Sequence, residues 1–283
     1  MTLPTSTCYL DGTYVPLADA KVSVLDRGFI FGDGIYEVIP VFGRRPLRFA
    51  QHLVRLERSL AAVGIAPPLT HAQWGGVLET LLSTASGEDF TFYLQVTRGV
   101  APRNHQPPGG MSPTVFAMLT PLATVDPAVT VTAITHEDFR WQRCDIKSTS
   151  LLANVLLRQT ATAAGAAEAI LVRDGQVTEG AASNVFVVVD GRLRTPALSR
   201  HLLPGVTRDL LIELLAGTAD AVLETDVTLA ELRHADEIFL TSSGRELAAV
   251  SHLDGVTVGD GAPGPVFRRA VARYAAFKRG EGK

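Results

Sequence analysis

The stretch RWQRCDIKSTSLLANVLLRQTATAAGAAEAILVRDGQVTEGAASN, residues 140–184, holds the two side chains around which the rest of the chain is interpreted. Lys147 stands just before an apolar helix-like run, and burial there would favour the neutral amine, which is the nucleophilic form of lysine. Glu179 follows an Asp-Gly turn and a short strand pattern. Most lysines are solvated surface charges, so a functional role for Lys147 has to be supported by other parts of the sequence.

Composition and charge restrict the classes of function that the chain can have. Its 283 residues are 46% hydrophobic and 19% charged, which is typical of a globular protein with one large domain or two smaller ones. The net charge of -3 offers no basic surface to nucleic acid and no cationic patch to a membrane, so a small-molecule partner is expected. Cys8 and Cys144 lack the spacing of a zinc site or a disulfide framework, and no metal site is predicted. Without a signal-peptide pattern or an apolar run of about 18 residues, a cytoplasmic protein is expected.

The first half of the sequence mixes strand and helix patterns. Asp11-Gly12 is typical of a tight hairpin turn. Apolar residues at steps of three and four predict a helix that ends at Gly64, with Arg55 on its polar, solvated side. A capping box from Thr70 to Gln73 begins a second helix. The predicted elements are, in order, a hairpin over 8–15, a strand over 35–42, the helix over 51–63, the helix from Thr70, and strands over 90–98 and 114–120.

The second half is richer in hairpins. Asp-Gly pairs at 174–175 and 190–191 each predict a turn between strands, and the first of these hairpins delivers Glu179. The proline-containing stretch 122–128 is predicted to be a linker between an N-terminal domain, 1–121, and a C-terminal domain, 129–283. In the helix predicted over 150–164, the apolar side is formed by Leu152, Val155 and Leu156. The other elements predicted here are strands over 129–135, 168–174, 176–180, 183–190 and 193–196, a loop and helix over 202–217, a strand entering a turn at Ser243, and a terminal helix over 265–280.

Two further stretches carry candidate binding groups. The loop 99–113 bears Arg103 and His105, which could hold a carboxylate, although such a pair in a polar loop is usually only solvated. Thr207 stands near a helix start, where free N–H groups and the helix dipole bind anions, although a plain N-cap is the commoner role. The glycines of DRGFIFGDG lack GxGxxG spacing, which argues against a Rossmann dinucleotide site.

Six strings taken in order resemble those of the fold-type IV pyridoxal-phosphate enzymes, and among these the D-amino-acid transaminases most of all. The strings are DRGFIFGDGIYEV, YLQVTRGVAPRNH, RCDIKS, VTEGAASNVF, LLPGVTRDLL and DEIFLTSSGREL, and they span the chain from about Asp26 to about Val250. The resemblance implies an α+β fold of two domains. The N-terminal one would be a smaller α/β sandwich, and the larger, pyridoxal-phosphate-binding C-terminal one a pseudo-barrel rich in antiparallel strands.

The resemblance also implies a role for each matching residue. Lys147 would bind pyridoxal 5'-phosphate as a Schiff base, and Glu179 would face the ring nitrogen. The implied activity is a ping-pong transfer of the amino group from a D-amino acid, such as D-alanine, to a 2-oxo acid, such as 2-oxoglutarate, in a homodimer whose partner chain completes each active site. The other implied cofactor-binding residues are Arg55, Leu203, Val206, Thr207 and Ser243; Tyr36, Arg103 and His105 would hold the substrate carboxylate, the latter two from the partner subunit.

Several alternatives remain open at this point. The same fold type includes branched-chain L-amino-acid transaminases, (R)-amine transaminases and aminodeoxychorismate lyase, and a pyridoxal-phosphate binder without catalysis is a further class. The Arg-x-His loop disfavours the first two, and DGIYEV favours a transaminase over the lyase. Ala181 and Ala182 stand where D-specific enzymes frequently have hydroxyl residues, so a hydrogen-bond relay near the cofactor is expected to be missing. Without the resemblance, the prediction reduces to an α+β domain with an anion site at 205–207.

Overall fold

The structure is a computed structural model that describes residues 6–123 and 126–281. These residues form two compact units. The residues up to Ala123 form the first unit together with Ile146–Leu151, and those from 126 to Asp145 and from Leu152 onward form the second. The first unit thus ends inside the predicted linker 122–128, of which residues 124 and 125 lie outside the described residues. The predicted domains did not include the return of Ile146–Leu151, the segment that carries Lys147, to the first unit.

The first unit is built on an antiparallel sheet. Its strands are β1 (Thr7–Leu10), β2 (Thr13–Pro16), β3 (Gly34–Phe42), β4 (Arg45–Pro46), β5 (Phe90–Thr97) and β6 (Thr114–Pro121). They lie in the order β2-β1-β6-β5-β3-β4, and each neighbouring pair is antiparallel. The predicted hairpin is confirmed: Asp11 and Gly12 both have positive φ, 46° and 90°, as a two-residue turn between twisted strands requires.

Helices cover this sheet. They are α1 (Arg27–Phe31), α2 (Phe49–Ala62) and α3 (His71–Thr84). The two longer helices confirm the predictions, including the capping box of Thr70 and Gln73 at the start of α3. Leu53, Leu56 and Leu60 of α2 are buried in the core against the sheet. Arg55, on the polar side of α2 where a charge is usually solvated, is instead buried and bonded to a carboxylate of β3.

The second unit is built on a mixed sheet. Its strands are β7 (Val131–Glu137), β8 (Glu168–Arg173), β9 (Gln176–Gly180), β10 (Asn184–Val189), β11 (Arg192–Thr195), β12 (Leu223–Glu224), β13 (Glu237–Ser242), β14 (Glu246–Leu253) and β15 (Val256–Thr257). The order is β12-β11-β10-β13-β14-β7-β8-β9, with β15 beside β14. Because β9 at the end of this order also contacts β10, the sheet curls into a partial barrel. The predicted α+β class and pseudo-barrel are confirmed.

Parallel pairing distinguishes this sheet from the first. Strand β7 is parallel to both β8 and β14, and β11 is parallel to β12, whereas the other described pairs are antiparallel. The hairpins predicted at 174–175 and 190–191 are confirmed, and Asp174 and Asp190 both have positive φ. The helices are α4 (Leu152–Ala163), α5 (Val206–Leu215), α6 (Leu229–Arg233) and α7 (Pro265–Arg279).

Helix α4 does not bury the face that its sequence predicts. Leu157 and Ala161 are fully buried, whereas Leu152, Val155 and Leu156 are 73%, 48% and 46% exposed. The predicted helix is present, but its apolar side is exposed in the single chain, because periodicity marks an apolar stripe without saying what covers it. Among the described residues, no helix has the length and apolar character needed to cross a membrane.

Candidate active site

The main chain of Lys147 is held as an extra strand segment beside β3. The N–H of Tyr36 donates to the carbonyl of Lys147 (3.0 Å), and the N–H of Thr149 donates to the carbonyl of Gly34 (2.9 Å). On the other side, the N–H of Lys147 donates to Ser59 Oγ on α2 (3.3 Å). Hydrogen bonds on both sides therefore fix the backbone of Lys147, and its amine moves through side-chain torsions alone.

The side chain of Lys147 lies over an aromatic ring. It is half-buried, and its Nζ is 4.3 Å from the centroid of the Tyr36 ring. Tyr36 in turn stacks on Tyr93 with ring centroids 5.8 Å apart, and the Tyr93 hydroxyl donates to Gln95 Oε1 (2.6 Å). Burial raises the pKa of Tyr93 to about 12, so this hydroxyl stays protonated. Tyr36 is thereby fixed beneath the amine, which brings together two of the predicted site residues.

A buried carboxylate on β3 holds Arg55. Arg55 Nε donates to Glu37 Oε1 (2.7 Å), Nη2 donates to Oε2 (2.8 Å), and His52 Nδ1 lies 2.8 Å from the same Oε2. Burial alone would raise the pKa of Glu37, but Arg55 and His52 hold it far below its usual value. Burial lowers the pKa of His52, in part against the effect of Glu37. The result is a fixed guanidinium whose orientation is set by two parallel hydrogen bonds.

Arg103 and His105 lie on an exposed loop, and both are themselves exposed. The Phe31 ring of α1 lies between them: Arg103 Cζ is 5.5 Å, and the His105 ring centroid 5.6 Å, from the centroid of Phe31. The guanidinium of Arg27 donates to the carbonyls of Asn104 (2.6 Å) and His105 (3.1 Å). The tip of the loop is thus bound to α1.

In the second unit, Glu179 is buried and accepts three hydrogen bonds. Arg140 Nη1 donates to its Oε1 (2.6 Å), and the Leu203 N–H (3.0 Å) and Asn184 Nδ2 (3.3 Å) donate to its Oε2. Burial raises the pKa of Glu179 to about 7, and Arg140 offsets only part of this rise. The offset is partial because Arg140 also forms a two-bond pair with Asp138, at 2.9 and 3.0 Å, so two buried carboxylates share its charge.

The start of α5 forms a candidate anion site. No side chain caps this helix, so the first N–H groups, those of Val206 and Thr207 among them, are available to an anion. A Cβ on the N-cap residue Gly205 would overlap the side-chain oxygen of Asn184, so only glycine lets the loop pass. Next to this helix start, Thr241, the residue before the end of β13, pairs with Asn184, and its buried hydroxyl has no hydrogen-bond partner among the described residues.

The predicted residues are therefore distributed over both units. Lys147 contacts Tyr36, and Glu179 contacts Leu203. Arg55 is fixed by Glu37. The remaining ones are placed as follows: Val206 and Thr207 at the start of α5, Ser243 half-buried in the turn after β13, and Arg103 and His105 against Phe31.

Glu37 and Arg140 are charged groups of these clusters that sequence reasoning missed. A signal for Glu37 was present, because Ile35, Glu37 and Ile39 lie on one face of β3 and a charge on a buried face needs a partner. No comparable periodicity marks Arg140, which lies in an irregular segment and pairs with Glu179 across the tertiary fold. Ala181 is buried against Leu157 and Ala161, so it fills core space.

The donors and acceptors fit pyridoxal phosphate. That cofactor requires a primary amine, a carboxylate for its ring nitrogen and several donors for its phosphate. Lys147 supplies an accessible amine, and Glu179 a carboxylate held by three donors. The uncapped start of α5 and the unpartnered Thr241 hydroxyl supply donors suited to phosphate.

Comparisons with known proteins agree on one family. The model of the family described as Amino-transferase class IV matches residues 34–253. The D-alanine aminotransferase of Bacillus licheniformis is 41% identical over 260 residues, which cover 91% of this chain and 92% of that protein. A D-alanine aminotransferase of Staphylococcus haemolyticus is 37% identical over 264 residues, covering 92% of this chain and 94% of that protein. The branched-chain amino acid aminotransferase of Escherichia coli has a similar structure, with a TM-score of 0.91 at 25% identity over 99% of this chain and 97% of that one.

Proposed function

Since this chain belongs to the class IV aminotransferase family, we propose that it moves the amino group of a D-amino acid, such as D-alanine, to a 2-oxo acid, such as 2-oxoglutarate. The observation that carries the proposal is the 41% identity, over nearly the full length of both chains, with a D-alanine aminotransferase. Class IV aminotransferases depend on pyridoxal phosphate and act on amino acids and 2-oxo acids. The cytoplasm is the proposed compartment, and the two free, buried thiols, Cys8 and Cys144, support it because unpaired cysteines persist in reducing compartments.

The cofactor would be held at three points. When bound, it supplies an electron sink for the charge that develops at the substrate Cα as the α-proton leaves. Lys147 Nζ would provide covalent attachment, and Glu179 would accept a hydrogen bond from the ring nitrogen. The phosphate would be bound by the remaining groups, namely Arg55, Val206, Thr207 and Ser243, with the loop at Leu203 beside Glu179.

Lys147 is the proposed acid and base of the reaction. Its backbone is fixed at both the N–H and the carbonyl, so the position of Nζ changes through side-chain torsions alone. Nζ, which lies near the Tyr36 ring, would accept the proton from the substrate Cα. Because this amine acts from one fixed side, the orientation of the substrate decides which hand reacts.

Glu179 acts through its ionised form. A carboxylate is needed to keep a proton on the ring nitrogen, and the buried Glu179 is ionised less readily than an exposed glutamate. Arg140 and the Leu203 N–H both stabilise the charged form. A cationic ring nitrogen would add a third favourable partner, so cofactor binding and ionisation of Glu179 should reinforce each other.

The substrate carboxylate would be held by Tyr36, Arg103 and His105. An arginine fork and a neighbouring imidazole suit a carboxylate, and their position sets the D-orientation of the substrate. The two loop residues serve the active site of a partner chain in this proposal. The exposed apolar face of α4, formed by Leu152, Val155 and Leu156, supports a homodimer because adjacent exposed apolar side chains of this kind often mark a surface that a partner covers.

A visible spectrum of the enzyme loaded with pyridoxal phosphate tests the reaction and its hand. D-alanine alone, without an oxo acid, should deplete the visible absorption band and release about one pyruvate per active site, as the first half of a ping-pong cycle does. L-leucine should leave the band unchanged. Depletion by L-leucine but not by D-alanine would refute the proposed substrate class and favour the branched-chain activity of the structural relative from Escherichia coli.

Mixing two inactive variants tests the shared active site. Lys147→Ala and Arg103→Leu each disable every site of a homodimer, but a mixed dimer contains one site with both residues intact. After subunit exchange, half of the dimers are mixed and half of their sites are intact, so activity should return to about a quarter of the wild-type value. No recovery, in a mixture shown by mass to have exchanged, would place Arg103 in its own chain's site.

A further inference from the structure

We propose that Arg27 is the positioning residue of the carboxylate clamp, the pair formed by Arg103 and His105. This inference rests on the proposed function, because the clamp has a role only if the substrate carries a carboxylate. Arg27 is buried in the short helix α1 and does not reach the substrate itself in this proposal. It acts on the backbone that separates the two clamp residues.

Each of the three nitrogens of the Arg27 guanidinium donates a hydrogen bond. Nη1 donates to the carbonyl of Asn104 (2.6 Å) and Nη2 to the carbonyl of His105 (3.1 Å), while Nε donates to Asp33 Oδ2 (2.8 Å). These carbonyls belong to consecutive residues, and Arg103 precedes them directly. Two hydrogen bonds from one planar group therefore fix the path of the chain at the clamp.

The position of the clamp depends on this contact at the loop tip, because the loop is otherwise held at its base and the residues between are exposed. At its base, the Arg27 N–H donates to the carbonyl of Gly99 (2.9 Å), and a Cβ on Gly99 would overlap the carbonyl of Ser112. Between these closed ends, residues 102–106 are exposed. Loss of the Arg27 guanidinium would leave the loop held at its base but not at its tip. The clamp residues would then lose their preferred position.

Charge and stacking favour an arginine at this position. The Phe31 ring contacts Arg27 Cζ at 4.7 Å and Arg103 Cζ at 5.5 Å, so two guanidinium groups share one aromatic ring. Asp33 pairs with both Arg27 and Arg98, which leaves one positive charge uncompensated in this group of three. That excess charge near the loop favours a carboxylate ligand. A lysine would keep the charge but could not donate in three fixed directions.

Arg27→Lys is the direct test, with Arg44→Lys as its matched control. Arg44 also donates to backbone carbonyls of the same unit, that of Gly87 in a loop (2.7 Å) and that of Leu82 in α3, away from the clamp. Two readouts are taken on the loaded enzyme, the kinetics of D-alanine transamination and hydrogen exchange of the segment 102–107, whose exchanging amides are those of residues 103–106 because Pro102 and Pro107 have no N–H. In Arg27→Lys the amides should exchange at least about tenfold faster, and KM for D-alanine should rise about 10- to 100-fold with a smaller change in kcat. Arg44→Lys should change neither.

Each outcome decides one part of the inference. Wild-type exchange rates at 102–107 in Arg27→Lys would overturn the positioning role, whatever the enzyme does. Faster exchange with an unchanged KM would show that the loop position does not matter to substrate binding, which overturns the link to the clamp. If the wild-type enzyme fails to convert D-alanine, the proposed function fails separately, and so does the link to a carboxylate, while the exchange data still report on Arg27 and the loop.

A second variant covers the possibility that Arg27→Lys unfolds. Arg27→Ala leaves space for a small guanidinium ion, and millimolar methylguanidinium should restore slow exchange at 102–107 and lower KM for D-alanine at least about fivefold. Sodium chloride at the same concentration should not. Equal effects of both salts would overturn the specific role of the guanidinium group.

Discussion

Replacing Glu179 by glutamine should remove a pH dependence from the stability of the cofactor-free protein. Burial raises the pKa of Glu179 from 4.5 to about 7. Between these two pH values, the folded protein holds a proton that the unfolded chain has released. Folding is therefore opposed as the pH rises, and the free energy of unfolding of the wild type should fall through this window.

The size of this fall follows from the difference between the two pKa values. The difference between 4.5 and about 7, at about 1.36 kcal/mol per pKa unit, corresponds to about 3 kcal/mol. Glu179 is only 5% exposed, so solvent screening does not reduce this value much. Glu179→Gln also alters the hydrogen bonds with Arg140 and Leu203. That change shifts the free energy of unfolding by an amount that is independent of pH, so the observable is the slope of the free energy of unfolding against pH.

The assay is urea unfolding of both cofactor-free proteins at equal concentration, from pH 4.5 to pH 8.5. The wild type should lose about 3 kcal/mol relative to Glu179→Gln across this range, with most of the loss between pH 5 and pH 7.5. Glu137→Gln, which removes an exposed carboxylate of the same unit, should run parallel to the wild type. The free energies of unfolding of the wild type and Glu179→Gln could also differ by a constant amount across this pH range, or their difference could change in the opposite direction. Either result would refute burial as the dominant effect on the pKa of Glu179.

Three further substitutions test the other clusters. Lys147→Ala should reduce D-alanine transamination by at least about 10²- to 10⁴-fold while non-covalent cofactor binding, measured by equilibrium dialysis, persists. Arg55→Met should lower the free energy of unfolding by about 3–5 kcal/mol in urea titrations, because it leaves the Glu37 carboxylate buried without its guanidinium. Gly205→Ala should cost about 1–3 kcal/mol and weaken cofactor binding in the same dialysis assay, because its Cβ overlaps Asn184.

A matched control exists for Gly205→Ala, and each of the other two predictions has an outcome that would contradict it. Gly76→Ala, at a helical glycine whose Cβ would meet nothing within 4 Å, should raise stability by up to about 1 kcal/mol, so a loss at Gly205 alone identifies the steric cause. A stable Arg55→Met protein would mean that His52 suffices to hold Glu37. Lys147→Ala with wild-type turnover would remove Lys147 from the chemistry altogether.

Local patterns were enough to predict many elements of both units. The Asp-Gly pairs at 11–12, 174–175 and 190–191 each produced the predicted turn, since these two residues tolerate the positive φ that short hairpin loops require. The capping box at Thr70 and the leucine spacing of α2 likewise predicted helices within a few residues of their true ends. Helix α1 was missed because its five residues are too few to show a period.

Burial was the property that local patterns predicted least well. Arg55 lies on the polar side of α2, where a charge is usually solvated, yet it is buried because Glu37 on a different element provides a charged partner inside the core. Leu152 and Val155 belong to the apolar side of α4, yet they are exposed among the described residues. Both outcomes depend on the tertiary packing around the helix and not on the spacing of residues within it.

The sequence by itself determined the fold class, the family and the candidate identity of Lys147 and Glu179, because turn chemistry, helix periods and ordered motifs are properties of neighbouring residues. Only the tertiary structure decided that Lys147 is paired with β3, that Arg140 shares its charge between Asp138 and Glu179, and that Arg27 holds the loop of Arg103. Apart from the Arg140–Asp138 pair, those contacts join residues from 39 to 111 positions apart. Hydrogen bonds and ion pairs act over a few ångströms, so such pairings exist only once the folded backbone has brought the partners together.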